Sequence, residues 1–192
     1  MLLLVGSGRA LGTVWRLSMG ARLVAGRKDA PLLIEGDRSV SRVHATVVTL
    51  ADDMSGVDIE DEGSKFGIHI NGHSCPGRAT SRLNIGDTIM FGAQDSTFEL
   101  RRSPISLCIA NMRSEPPSAV HAILANAGSL GLDIVDDVEC CTHLVTPVLA
   151  VTSKLIRALV FGCWIVSPAY IQDLASMPLA FKVDDPSVGL VD

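Results

Sequence analysis

The sequence predicts two domains of different fold class within 192 residues, an all-β sandwich followed directly by a small α/β domain. From Met1 to Arg102 short β-type runs alternate with turn residues at spacings of about 8 to 12 residues, the pattern of a sandwich. Beyond Ser103-Pro104, strands alternate with helix-length segments, the pattern of a sheet covered by helices. The charge distribution divides at the same place: residues 1–102 hold 12 basic and 12 acidic side chains, the remainder 4 and 9.

Taken in order, Met1-Leu2-Leu3-Leu4-Val5 is apolar, breaks at Gly6 and lacks a basic leader, so it reads as a first strand and not as a signal-peptide core. Runs at 14–17, 23–25, 45–48, 57–60, 88–91 and 97–100 follow, all but 45–48 bordered on at least one side by Gly, Asp or Ser. In the second half, 105–110 is a strand. Pro116-Pro117-Ser118 opens a helix that Gly128 ends. Strands at 132–135 and 142–145, a helix at 152–161 closed by Gly162, a strand at 165–166 and a helix opening at Pro168 complete the order β-α-β-β-α-β-α. The domains are therefore expected at 1–102 and 103–180, with 181–192 a tail or the start of a linker.

An apolar content of 47% with 19% charged residues is that of a folded globular protein. The net charge of −5 lies wholly in the second half, which argues against direct nucleic-acid contact, since such contact uses a positive stripe. The five cysteines are odd in number and irregularly spaced, unlike a secreted disulfide framework, and fit a reducing compartment. The longest apolar stretch, 155–166, contains Arg157 and falls short of the roughly 20 residues a membrane span needs.

The residues that carry chemistry are Gly26-Arg27, Ser41-Arg42-Val43-His44, Asp61-Glu62-Gly63-Ser64-Lys65-Phe66-Gly67 and Asn71-Gly72. A phosphate ester wants several donors converging from different directions, and Arg, Lys and Ser supply them without a catalytic base. Each segment lies between two strand-like runs, and loops at one end of a sandwich converge. Gly67 and Gly72 supply turns that side chains with a β-carbon resist.

These elements, with Arg27 and Ser41 14 residues apart and Ser41 and Asn71 30 apart, resemble the forkhead-associated (FHA) domain, a phosphothreonine-binding β-sandwich. The resemblance implies that Arg27, Ser41 and Lys65 hold the phosphate with Arg42 alongside, and that Phe66 and Gly67 complete the binding loop. Gly26, His44 and Asn71 would support the loops. Phe66 stands where many FHA domains carry an Asn that bonds the peptide backbone. Cys141-Thr142-His143-Leu144-Val145 and the run from Gly162 to Tyr170 resemble a BRCT domain. By that resemblance Ser114 and Lys154 are the nearest matches to a phosphoserine site, although Glu115, where a Gly is expected, would repel phosphate. The expected whole is an all-β FHA sandwich followed directly by an α/β BRCT domain.

The fusion of the two resembles the family of phosphoprotein-binding subunits of the MRN complex, which senses DNA double-strand breaks. An aromatic at the position of Phe66 is common there. The implied partners are phosphothreonine proteins with acidic motifs, among them damage mediators and end-resection factors. Nuclease and ATPase subunits would be reached through regions outside these residues, in the nucleus. A general phosphopeptide adaptor outside that complex would use the same loops.

Other chemistries fit less well. Gly6, Gly8 and Gly12 superficially match a dinucleotide loop, but residues 14–17 read as a strand where that motif needs a helix. His69, His73 and Cys75, or Cys140, Cys141 and His143, lack a second ligand pair at structural-zinc spacing. No Ser, His and Asp set sits in a recognisable elbow. The expectation is a binding protein without cofactor, metal or catalytic residue.

Overall fold

The computed structural model describes residues 1–182. The first eleven strands are β1 (Leu2–Gly8), β2 (Thr13–Leu17), β3 (Arg22–Gly26), β4 (Leu32–Leu33), β5 (Ala45–Val48), β6 (Gly56–Asp61), β7 (Ile68–Ile70), β8 (His73–Ser74), β9 (Thr80–Asn84), β10 (Thr88–Phe91) and β11 (Ser96–Arg102). They are followed by β12 (Ser106–Ile109), α1 (Pro117–Leu130), β13 (Asp133–Ile134), β14 (His143–Val145), α2 (Ser153–Val160), β15 (Trp164–Val166), α3 (Ala169–Ser176) and β16 (Ala180–Lys182). Of the described residues, 1–103 and 178–182 form one compact unit, and Pro104–Met177 another.

The first unit is a sandwich of two sheets, ordered β16-β2-β1-β11-β10-β7-β8 and β4-β3-β5-β6-β9. Alternation puts every second side chain inward, as at Ile89 and Phe91 of β10 and Phe98 and Leu100 of β11, all buried. Trp15 stacks on Phe98 at 4.1 Å between centroids, and Phe91 meets Phe98 edge-on at 5.9 Å. The His44 ring meets Phe91 edge-on at 5.8 Å, so the aromatic core runs up to the loops at one end of the sandwich.

Glycines 6, 8 and 12 belong to β1 and its turn into β2: a β-carbon on Gly6 would lie 2.1 Å from the Ala10 carbonyl oxygen, and Gly8 and Gly12 have positive φ. The same residues that imitate a dinucleotide loop are required by a tight strand connection.

The second unit is a parallel sheet ordered β13-β12-β14-β15 with three helices. α1 starts with Pro at its first position and ends at Gly131, whose φ is 63°, one turn beyond the Gly128 stop expected from sequence. Gly128 is tolerated inside the helix, and Gly131 supplies the left-handed residue that terminates it. The Thr152 hydroxyl caps α2 by accepting from the Leu155 amide at 3.2 Å.

One segment departs from the expected boundaries. The expected α/β domain spans 103–180 and the expected tail 181–192, but Ala180, Phe181 and Lys182 pair antiparallel with Trp15, Val14 and Thr13 and extend the first unit's sheet. β2 would otherwise be an open edge, and a short strand that satisfies its backbone groups closes it. Residues 183–192 of the expected tail lie outside the described residues.

Candidate functional site

β3 ends at Gly26, and the chain segment 41–44 runs across that end. The Arg27 amide donates to the Ser41 carbonyl at 3.0 Å, and the His44 amide to the Ala25 carbonyl at 2.9 Å. A β-carbon at residue 26 would fall 2.0 Å from the Arg42 carbonyl oxygen, so this approach requires glycine. The Gly-Arg pair thereby fixes Arg27 directly beside Ser41.

His44 is fully buried and bonds at both ring nitrogens. Its Nδ1 accepts from the Ser41 amide at 3.0 Å, and its Nε2 lies 2.9 Å from the Gly67 carbonyl. With Nδ1 an acceptor and a carbonyl facing Nε2, the neutral Nε2–H tautomer satisfies both. The Gly67 carbonyl also accepts from Gly92 N at 3.1 Å, and the Lys65 amide donates to Ser41 Oγ at 3.3 Å. One histidine therefore bonds both the Ser41 loop and the Lys65–Gly67 loop.

Burial depresses the His44 pKa, against the smaller opposing effect of the Gly67 carbonyl. A histidine neutral in the fold and ordinary when unfolded leaves stability untouched above about pH 6.5 and reduces it as the pH falls below that value, because only the unfolded chain gains the proton. His143 is depressed by burial in the same sense. The denaturant midpoint is therefore expected to be lower at pH 5.5 than at pH 7.5. The His44 ring resonance should titrate below pH 6.5, and a midpoint at or above 6.5 would contradict this.

Two buried carboxylates hold the rest of the cluster, Asp37, which sequence reasoning missed, and Asp61, whose turn-shaping bonds it did not foresee. Asp37 Oδ1 accepts from the Ser39 amide at 2.8 Å and hydroxyl at 2.5 Å, and its Oδ2 accepts from Ser96 Oγ at 2.7 Å. Burial opposes the charge of Asp37, but these bonds outweigh it and keep its pKa below the usual value. Ser39 Oγ accepts in turn from the Ala93 amide at 2.8 Å. Asp61 Oδ1 receives the Gly63 and Ser64 amides at 2.8 and 2.7 Å and shapes the turn that leads to Lys65. The available signals were Asp-x-Ser at 37–39 and Asp-x-Gly-Ser at 61–64, both carboxylate-capped turns.

Asn71 adopts φ 51°, its amide nitrogen donates to Asp87 Oδ1 at 2.8 Å, and its Oδ1 accepts from the Thr88 amide at 2.9 Å. It anchors the turn after β7 to the start of β10. It supports a loop and does not join Ser41.

Arg27, Arg42 and Lys65 are exposed, and among the described residues none is paired with a carboxylate. Other arginines differ: Arg22 pairs with Glu60, Arg82 with Asp53 and Asp58, and Arg157 with Asp137 and Glu139. Arg22 and Arg82 are thus committed to ion pairs. Ser41 is bonded to the backbone of both Arg27 and Lys65, and its hydroxyl proton is free to donate outward. The arrangement can receive an anion.

In the second unit, Ser114 ends the turn Met112–Ser114 and is exposed. The Lys154 amine is half-buried and donates to the Ile109 carbonyl at 3.4 Å and Cys108 Sγ at 3.6 Å. Both residues, with Arg113, line one cavity of about 580 Å³. All five cysteines are free, and among the described residues no group of three or more His, Cys, Asp or Glu side chains could hold a metal ion.

Comparison with known proteins matches residues 23–92 to the FHA domain family and residues 98–186 to the Regulator of Ty1 transposition protein 107 BRCT domain. The structure of the S. pombe Nbs1-Ctp1 complex superposes with a TM-score of 0.73 at 18% identity, covering 97% of this chain and 62% of that one. The S. pombe Nbs1 FHA/BRCT-repeat domain gives 0.69 at 19%, covering 92% and 58%. The chain is an FHA–BRCT protein, built of two protein-interaction modules in that order. Nibrin of Mus musculus is 30% identical over 97% of this chain and 27% of its own length, and nibrin of Rattus norvegicus 32% identical over 89% and 24%. The chain is a nibrin-like N-terminal region, and it spans about a quarter of the length of these curated relatives.

Proposed function

We propose that the first domain binds phosphorylated threonine on partner proteins, and that the chain serves as the phosphoprotein-recognition module of a nibrin-like subunit of the MRN complex. One observation carries this reading: Ser41 bonds the backbone of Arg27 and Lys65 and adjoins Arg42, three exposed cations without carboxylate partners among the described residues, on loops locked together by His44. In this account Arg27, Lys65 and Ser41 take the phosphate oxygens and Arg42 assists. Bonds to a doubly charged ester contribute roughly 1.5 to 3 kcal/mol each, so few are needed for a useful affinity.

Residues 1–102 would act as the phosphothreonine reader and 103–180 as the BRCT domain, with Ala180–Lys182 returned to the first sheet. Recruitment to phosphorylated damage mediators and end-resection factors with acidic motifs follows, in the nucleus. The nuclease and ATPase subunits would be contacted through regions outside these residues. The resemblance to the Nbs1-Ctp1 fold supports partner binding as the task. Lys154 already bonds the Ile109 carbonyl, so a phosphoserine role for Ser114 and Lys154 would require that amine to change partners.

No chemistry is assigned to the chain. Incubation with a phosphothreonine peptide should give saturable binding and no release of inorganic phosphate. Continuous release would make the protein a phosphatase and overturn the reading.

A further inference from the structure

Phe66 poses a question that phosphate chemistry alone does not answer. Phe66 is 45% exposed, in a loop whose backbone is held on both sides. The Lys65 amide donates to Ser41 Oγ on one side, and the Gly67 carbonyl faces His44 Nε2 on the other. Among the described residues the ring makes no aromatic contact, and what it does face is the Lys65 ammonium, 5.3 Å from its centroid. That is within the range where a ring quadrupole attracts a cation.

We propose that Phe66 is a positioning residue: its ring holds the Lys65 ammonium at the Ser41 cluster before the phosphate arrives. The proposal rests on the phosphothreonine reading above. A lysine on an exposed loop has a flexible four-carbon stem, and fixing it on binding costs conformational entropy. A ring that already restricts the ammonium removes part of that cost, which is how preorganisation raises affinity. The residue type follows from the role. An Asn here would offer its amide to a peptide backbone, whereas an aromatic ring offers the neighbouring ammonium a π face instead.

The test is a calorimetric titration of the 192-residue chain with a phosphothreonine peptide and its unphosphorylated twin. Phe66→Leu keeps an apolar side chain and removes the π face, and should weaken phosphopeptide binding about threefold. Phe66→Tyr should bind as the parent does. In a Lys65→Met background Phe66→Leu should cost nothing further, because the ring acts through Lys65. The Lys65 ε-methylene proton resonances should also be shifted upfield by the ring current in the free protein, and lose that shift in Phe66→Leu.

Equal or tighter binding by Phe66→Leu, with preference for the phosphorylated peptide intact, overturns this proposal alone. So does an undiminished effect in the Lys65→Met background. Equal affinity of the parent chain for both peptides overturns the phosphothreonine reading, and this proposal with it.

Discussion

Gly26→Ala is expected to destabilise the first domain by about 3 kcal/mol and to abolish measurable phosphopeptide binding. The added methyl would sit 2.0 Å from the Arg42 carbonyl oxygen, 2.8 Å from its carbonyl carbon and 3.3 Å from the Ser41 carbonyl oxygen. These are backbone atoms, so the 41–44 segment must move as a whole. Movement there breaks the bond from Arg27 N to Ser41 O and displaces His44 from Gly67. Stability and binding therefore fall together. Gly77→Ala is the matched control, because nothing lies within 4 Å of the position of its β-carbon. Urea denaturation of both variants separates the outcomes, and a Gly26→Ala chain with parental stability and affinity would show that the close approach of the two segments is dispensable.

Arg27→Ala should act differently, weakening a phosphothreonine peptide by about 2 kcal/mol, about thirtyfold, with the thermal midpoint unchanged. The side chain is exposed and has no carboxylate partner among the described residues, so its removal leaves no buried group unsatisfied. Its backbone bond to Ser41 is retained by alanine. Arg27→Lys should recover part of the loss, since a lysine keeps the charge and gives up the planar fork. Calorimetry at two salt concentrations checks the electrostatic origin, because the difference between parent and Arg27→Ala should shrink as salt rises. A loss that is independent of salt would point to packing instead.

Much of this architecture was legible in the sequence because it is written in local patterns. The alternation in 45–48, 57–60 and 88–91 corresponds to β5, β6 and β10, and the switch to strand–helix order after residue 103 corresponds to the second unit. Gly-Arg, Ser-x-x-His and the 61–67 loop could be placed near one another because loops at one end of a sandwich converge, and Arg27, Ser41, His44, Lys65 and Gly67 are linked by backbone and ring hydrogen bonds.

What escaped was long-range or dependent on packing. The Asp37 carboxylate bonds Ser96 across 59 positions, and no local pattern announces that pairing. The ion pairs of Arg22 with Glu60 and Arg82 with Asp53 and Asp58 need the strand register before they can be seen. β16 was missed for a related reason. Its three residues have too little periodicity to be read as a strand, and they become one only where β2 offers an unpaired edge. The difference between Gly128 and Gly131 is a packing decision as well, since either glycine could end a helix.

The central claim is that the Ser41 cluster reads a phosphate on threonine. Its most direct test is a paired calorimetric titration of the chain with one threonine peptide in phosphorylated and unphosphorylated form. The account predicts saturable binding of the phosphopeptide and no measurable binding of its unmodified twin. Equal affinity for the two would contradict it.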